Sequence, residues 1–254
     1  MRAVLGQAFA LLVAHANLFT LISLTVWLPA HVLKSYLEFF GPAEAGAGQL
    51  LRAMLTVQVV FDPLVVSATL AALGRIAQGL PVSYGIAMSE GLRAWGRLLL
   101  VRFVINLAIA LPALGALLAA PLQGAAAIAA GALCLVLAVG VGVLLVRFAL
   151  VDSVVVLERG TLRSAWRRAA TLTAGQRWSI VGTLLALFVI FLSFAVVAAW
   201  VFRAVPELNH FVPRVLLDCM VAVGQSLFTI ALFLFYRRAR AREHAAAAIA
   251  LSSA

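Results

Sequence analysis

An aspartate interrupts the apolar run V-V-F-D-P-L-V at position 62, ten residues after Arg52 and thirteen before Arg75. At about 1.5 Å per helical residue, that spacing sets Asp62 near the middle of a membrane-crossing helix. An ionised carboxylate there costs roughly 2.5–3.5 kcal/mol, so such a group either serves an ion or proton pathway or is neutralised inside a bundle. Gln58 lies one turn earlier, and Pro63 frees the carbonyl of Val59. Gln225 lies at a similar depth on the last run, Asn106 on the third span suits interhelical hydrogen bonding, and the four residues are the intramembrane polar candidates.

A second chemistry is carried by the stretch from Glu158 to Trp178, E-R-G-T-L-R-S-A-W-R-R-A-A-T-L-T-A-G-Q-R-W. A helix that starts after Thr161 groups Leu162, Trp166, Ala169 and Thr173 on one side and Arg163, Arg167 and Ala174 on another. Such a helix lies in the interface, its apolar side toward the acyl boundary and its guanidiniums toward lipid phosphates. Arg93, Arg97, Arg159, Arg163, Arg167, Arg168 and Arg177 are therefore the candidate contacts to anionic headgroups or to a membrane partner. Asp152 and Glu158 flank this stretch and are expected to pair with Arg147 or Arg163, and Asp218 with Arg214 one turn before it.

Other chemistries lack their residues. His15, His31, His210 and His244 have no ligand spacing and no C-x-x-C is present, so neither a metal nor another cofactor is expected. No phosphate-binding G-x-x-x-x-G-K-[ST] occurs, and Ser67, Ser89, Ser153 and Ser164 have no His and acidic partner nearby in sequence. A non-enzyme is the expectation. Cys134 and Cys219 sit within apolar runs as packing residues.

The elements that position these residues follow from composition. Of 254 residues, 65% are hydrophobic and 11% charged, with a mean hydropathy of +1.12, which excludes an ordinary soluble domain. The net charge of +10 sits in short blocks beside apolar runs and carries no nucleic-acid-binding module, so anionic lipid is its partner. Apolar runs at about 17–37, 51–74, 98–120, 124–147, 179–202 and 213–236 each suffice to span a bilayer. Fifteen of the 19 Lys and Arg fall on one side, against Lys34, Arg52, Arg203 and Arg214 on the other. That split puts both termini in the cytoplasm. Trp95, Trp166, Trp178 and Tyr236 then mark the inner interface, and Trp27, Tyr36 and Trp200 the outer one.

The fold class is thus all-α: a polytopic bundle of six transmembrane helices with interfacial amphipathic helices. A surface helix followed by two spans recurs over about 1–78, 79–150 and 151–244, a threefold parallel repeat within one domain of residues 1–244. Residues 245–254 form an alanine-rich tail. Dense small residues in the third and fourth spans, Gly115, Gly124, Gly131, Gly140 and Gly142 among them, predict a tightly packed hairpin.

The surface helix A-W-R-R-A-x-x-L-T-x-G (Ala165 to Gly175), the acidic turn at Glu158 and the earlier G-L-P-V-S (Gly79 to Ser83) carry a resemblance. Together they resemble the six-span membrane domain found ahead of some bacterial glycerophosphoryl diester phosphodiesterases, and related stand-alone domains of unknown function. Ala169 stands where that pattern often has Ser. The resemblance implies six helices and a bacterial inner membrane, and no reaction.

The expected role is a non-catalytic, membrane-organising or accessory subunit that engages anionic lipid or a membrane partner through its arginines. The rival readings are a small transporter or lipid translocator using Asp62, and a lipid-modifying enzyme. Topology is testable directly. With Cys134 and Cys219 replaced by Ser, Arg167→Cys should react with an impermeant maleimide only when the cytoplasmic face is opened, and labelling from outside intact cells would reverse the orientation.

Overall fold

In a computed structural model, the described residues are 2–41, 47–121, 123–158, 160–205 and 208–252. Nine helices account for nearly all of them: α1 (Arg2–Ala14), α2 (Ala16–Phe40), α3 (Ala47–Ala77), α4 (Tyr84–Ala119), α5 (Gly124–Arg147), α6 (Val151–Leu157), α7 (Leu162–Thr173), α8 (Arg177–Ala204) and α9 (Phe211–Ser252). No strand occurs among the described residues. Helices are the form such a chain must take, because a crossing segment has no water to satisfy its backbone and must do so internally.

Six segments are long and apolar enough to cross a membrane: Ala16–Phe40, Leu55–Ala77, Tyr84–Ala119, Ala126–Leu157, Arg177–Ala204 and Phe211–Ile249. Leu100, Phe103, Leu107, Leu133, Val136, Leu185, Phe188 and Leu192 are all exposed on α4, α5 and α8. An apolar outer surface of that extent suits hydrocarbon and not water. The chain is a multi-pass helical membrane protein.

Spans and connections differ from expectation in three places. The second surface helix is not separate, since α4 runs unbroken from Tyr84 through Pro112 to Ala119. After α5 the chain turns once at Phe148–Leu150 and forms α6, whose Val151 and Ser153 to Val156 are all buried. Helix α9 continues through the arginine tail and the alanines to Ser252, because Ala and Arg favour helix strongly. At 42 residues it measures about 63 Å.

Packing among the spans is cyclic: α2 on α3, α3 on α4, α4 on α5, α5 on α8, α8 on α9, and α9 back on α2. The surface segments follow the same order. The start of α4 lies on α3, α7 lies on α5 and α6, and α1 lies on α9, with Val4 and Ala8 buried. The ring is uneven, however, because α5 and α8 touch little and expose most of their length, while α6 fills the space among α3, α4, α7 and α9.

The closest approach lies between α3 and α4. A Cβ at Gly91 would stand 2.7 Å from the Ala68 backbone, and the buried Ser67 hydroxyl donates to the carbonyl of Gly91 at 3.0 Å. Helices meeting backbone to backbone gain van der Waals contact where a side chain would hold them apart. Trp95 reinforces the pair by donating from its indole to the Val60 carbonyl at 2.8 Å. Between α2 and α9, the buried hydroxyls of Ser23 and Ser226 meet at 3.1 Å.

The α4–α5 hairpin is looser than its small residues predict. Gly115 packs closely, with Cys134 Sγ 3.1 Å from where a Cβ would be, but Gly131, Gly140 and Gly142 face open space. Trp178 and Trp200 point outward as interfacial rings should, at 88% and 69% exposure. Trp27 does not, because it is buried and stacked on His31.

Glycine positions give a clean test of this packing. Gly91→Ala should cost about 1–3 kcal/mol by overpacking. Gly96→Ala, on the same helix with nothing near its Cβ, should be neutral or gain about 0.5–1 kcal/mol from helix propensity. Unfolding in mixed micelles reads both.

Candidate functional site

Contacts between helix ends sort the cations. Arg75 at the end of α3 pairs with Glu90 near the start of α4 at 2.9 Å. Arg238 on α9 donates to Gln7 on α1 at 3.1 Å, and Arg168 on α7 reaches Glu243 on α9. All of these lie at one end of the bundle. At the opposite end, Lys34 on α2 meets Asp218 on α9 at 2.8 Å, and Phe40 packs on Phe211. Asp218 is thus held by Lys34, with His31 3.8 Å away. Its expected partner Arg214 instead lies over the ring of Phe202.

Helix α7 forms at the arginine-rich end as its sequence predicts. Thr161 caps it, its hydroxyl accepting from the Ser164 amide at 3.3 Å. Gly175, at φ 79°, takes the left-handed turn that releases the chain into α8. The Gln176 amide donates to the carbonyls of Leu172 and Phe235 and ties this turn to α9. Ala165, Ala169, Leu172 and Thr173 are buried, while Arg163 and Arg167 are exposed. The apolar face therefore covers α5, α6 and α9 rather than acyl chains, because its alanines let α7 sit close on the bundle. Trp166 stands edge-on to Phe148, with ring centroids 4.6 Å apart.

Arg168 is the structural member of the group. It grips Glu243 through two N–H donors at 2.7 and 2.5 Å and reaches Glu158 at 3.4 Å. The hydrogen bonds to Glu243 chiefly raise its pKa above the ordinary arginine value. Glu158 also accepts from the Tyr236 hydroxyl at 3.0 Å and from Arg240 at 3.4 Å. It does not pair with Arg147 or Arg163, and one carboxylate joins α6, α7 and α9.

These pairs use up the carboxylates described at this end. Arg93, Arg97, Arg163, Arg167 and Arg177 have no carboxylate partner among the described residues, and Arg159 lies outside those residues. Arg93 and Arg97, one turn apart on α4, line a cleft of about 190 Å³ with Arg75, Gln78, Glu90 and Gly74. Two uncommitted guanidiniums and an amide make this cleft electropositive beside the Arg75–Glu90 pair.

The intramembrane candidates resolve differently. Asp62 is not isolated: Arg102 Nη1 lies 3.7 Å from its carboxylate, and Arg102 Nη2 donates to Asp152 at 2.5 Å. Asp152 therefore pairs with Arg102, not with Arg147 or Arg163, because α6 folds back into the bundle and carries the acid to α4. Gln58, Asn106 and Gln225 form no hydrogen bond to Asp62; Gln58 and Gln225 are exposed and Asn106 is half-buried. What the sequence reading missed is Arg102 at the centre of a three-helix charge cluster. Its signal was an arginine set inside the apolar run L-L-L-V-R-F-V-I.

The histidines stay apart, and among the described residues no three His, Cys, Asp or Glu side chains are placed to hold a metal ion. No protein family, curated protein or solved structure matches the chain.

The charge cluster predicts an ordered set of stabilities. Arg102→Met leaves two carboxylates uncountered and should cost about 3 kcal/mol, whereas Asp62→Asn, which removes a contact beyond hydrogen-bond reach, should cost about 1 kcal/mol or less. Asp62→Asn, Arg102→Met and Asp152→Asn combined should recover most of the loss in micellar unfolding. A triple variant as unstable as Arg102→Met alone would remove charge pairing as the cause.

Proposed function

We propose that this protein is a non-catalytic membrane protein whose arginine-rich end binds anionic lipid headgroups. The observation that carries the reading is the surplus of cations there. Once each described carboxylate at that end is paired, Arg93, Arg97, Arg163, Arg167 and Arg177 remain uncommitted. Two of them share a cleft sized for a phosphate-bearing group.

Each arginine near an anionic leaflet contributes about 1 kcal/mol, and the positive-inside rule assigns this end to the cytoplasm. The resemblance of the Ala165 to Gly175 motif to bacterial six-span domains adds an inner-membrane location and no reaction. A membrane subunit with an acidic surface could dock on the same residues, which fits an accessory role. The transport reading is less favoured by the geometry, since Asp62 has Arg102 as counter-charge.

Neutralising Arg93, Arg97, Arg163 and Arg167 together to Gln should lower retention of anionic phospholipid by the purified chain at least tenfold, with thermal stability preserved. Native mass spectrometry in mild detergent would count the retained lipids. Unchanged retention, with no acidic membrane protein lost from native-membrane copurification, would defeat the proposal.

A further inference from the structure

Between α4, α5, α8 and the turn into α6 lies a second cavity, of about 400 Å³. Its wall is hydrocarbon, with Ile105, Ala108, Ile109, Leu145 and Leu184 along it, and Phe148 and Trp166 close to one another at its side. Only Arg102 and Asp152 bring charge to it. The cavity sits where the ring of helices is thinnest, beside the exposed α5 and α8.

Neither component explains the other. An apolar void of this size within a membrane fills with hydrocarbon, since a dry void forfeits its packing contacts and water finds too few partners there. Yet a tail alone leaves the polar corner unmet. Of the five N–H donors on the Arg102 guanidinium, one makes a hydrogen bond, to Asp152. Asp152 at this corner and Asp62, outside the cavity lining but 3.7 Å from Arg102, already give two carboxylates for one guanidinium. A ligand anion would add a third negative charge at close range in a medium of low dielectric, whereas a neutral oxygen could accept from Arg102 without that repulsion.

We propose that this cavity binds an uncharged long-chain amphiphile, its hydrocarbon tail among Ile105, Ala108, Ile109, Leu145 and Leu184 and its hydroxyl or ester oxygen at Arg102. The site is separate from the anionic-headgroup surface, and its ligand differs in charge.

The test uses the full-length chain in mild detergent and a monoacylglycerol carrying a diazirine in its tail. Labelled peptides should map to 102–109, 141–152 and 184, and unlabelled 1-monooleoylglycerol should compete at least tenfold better than oleate at pH 7.5. Ala108→Trp, which fills the cavity, should cut labelling at least tenfold, and Val189→Trp, on the exposed side of α8, should not. Leu184→Phe serves as a milder second filling should Ala108→Trp fail to fold. The quadruple arginine variant should keep full labelling even as it loses anionic lipid, so the two sites can fail independently. Equal competition by oleate, labelling elsewhere, or full labelling of well-folded filled variants would overturn the assignment.

Discussion

A guanidinium among hydrocarbon-facing helices must bring its counter-charge along, and Arg102 does so from two directions. Desolvating an ion costs several kcal/mol, which is recovered only if an opposite charge is held at hydrogen-bond distance. Asp152 meets that need at 2.5 Å, and Asp62 stands behind it at 3.7 Å. The consequence is architectural, because Asp152 can reach Arg102 only if the chain after α5 turns inward. The buried valines of α6 then pack among α3, α4 and α9, and α7 lies against them. The charge cluster, the inward-turned α6 and the surface helix α7 are three parts of one arrangement.

Carboxylates are scarce in this chain, and their placement decides which arginines are structural. Glu158 gathers Arg168, Arg240 and Tyr236, and Glu243 closes on Arg168 from the far side. Those contacts fasten α6, α7 and α9 together at the basic end. What they leave over faces outward. The acids thus divide one residue type into arginines that hold helices together and arginines left without a carboxylate.

Much of this fold can be read from the chain, because hydropathy and length leave little choice for a backbone in lipid. The boundaries of α5 and the start of α7 after Thr161 follow directly from glycine, threonine and the helical period. Charge pairing resists the same reading. Asp152 is five residues from Arg147 in sequence but bonds Arg102, fifty residues away, because the turn at Phe148–Leu150 carries α6 back against α4. Asp218 likewise prefers Lys34 on another helix to Arg214 on its own. Local spacing nominates partners, and tertiary packing chooses among them. Glycine content misled for a related reason, since small residues permit close approach without compelling it, and α5 meets little at Gly131, Gly140 or Gly142.

Helix α9 is clamped at two points, by Lys34 at Asp218 and by Arg168 at Glu243. The two clamps are 25 residues apart on one unbroken rod, about 37 Å along its axis. A rod fixed in this way transmits tilt. A load that shifts α7 is applied to α9 at Glu243, and the stiffness of the rod carries it toward the Lys34–Asp218 contact with α2.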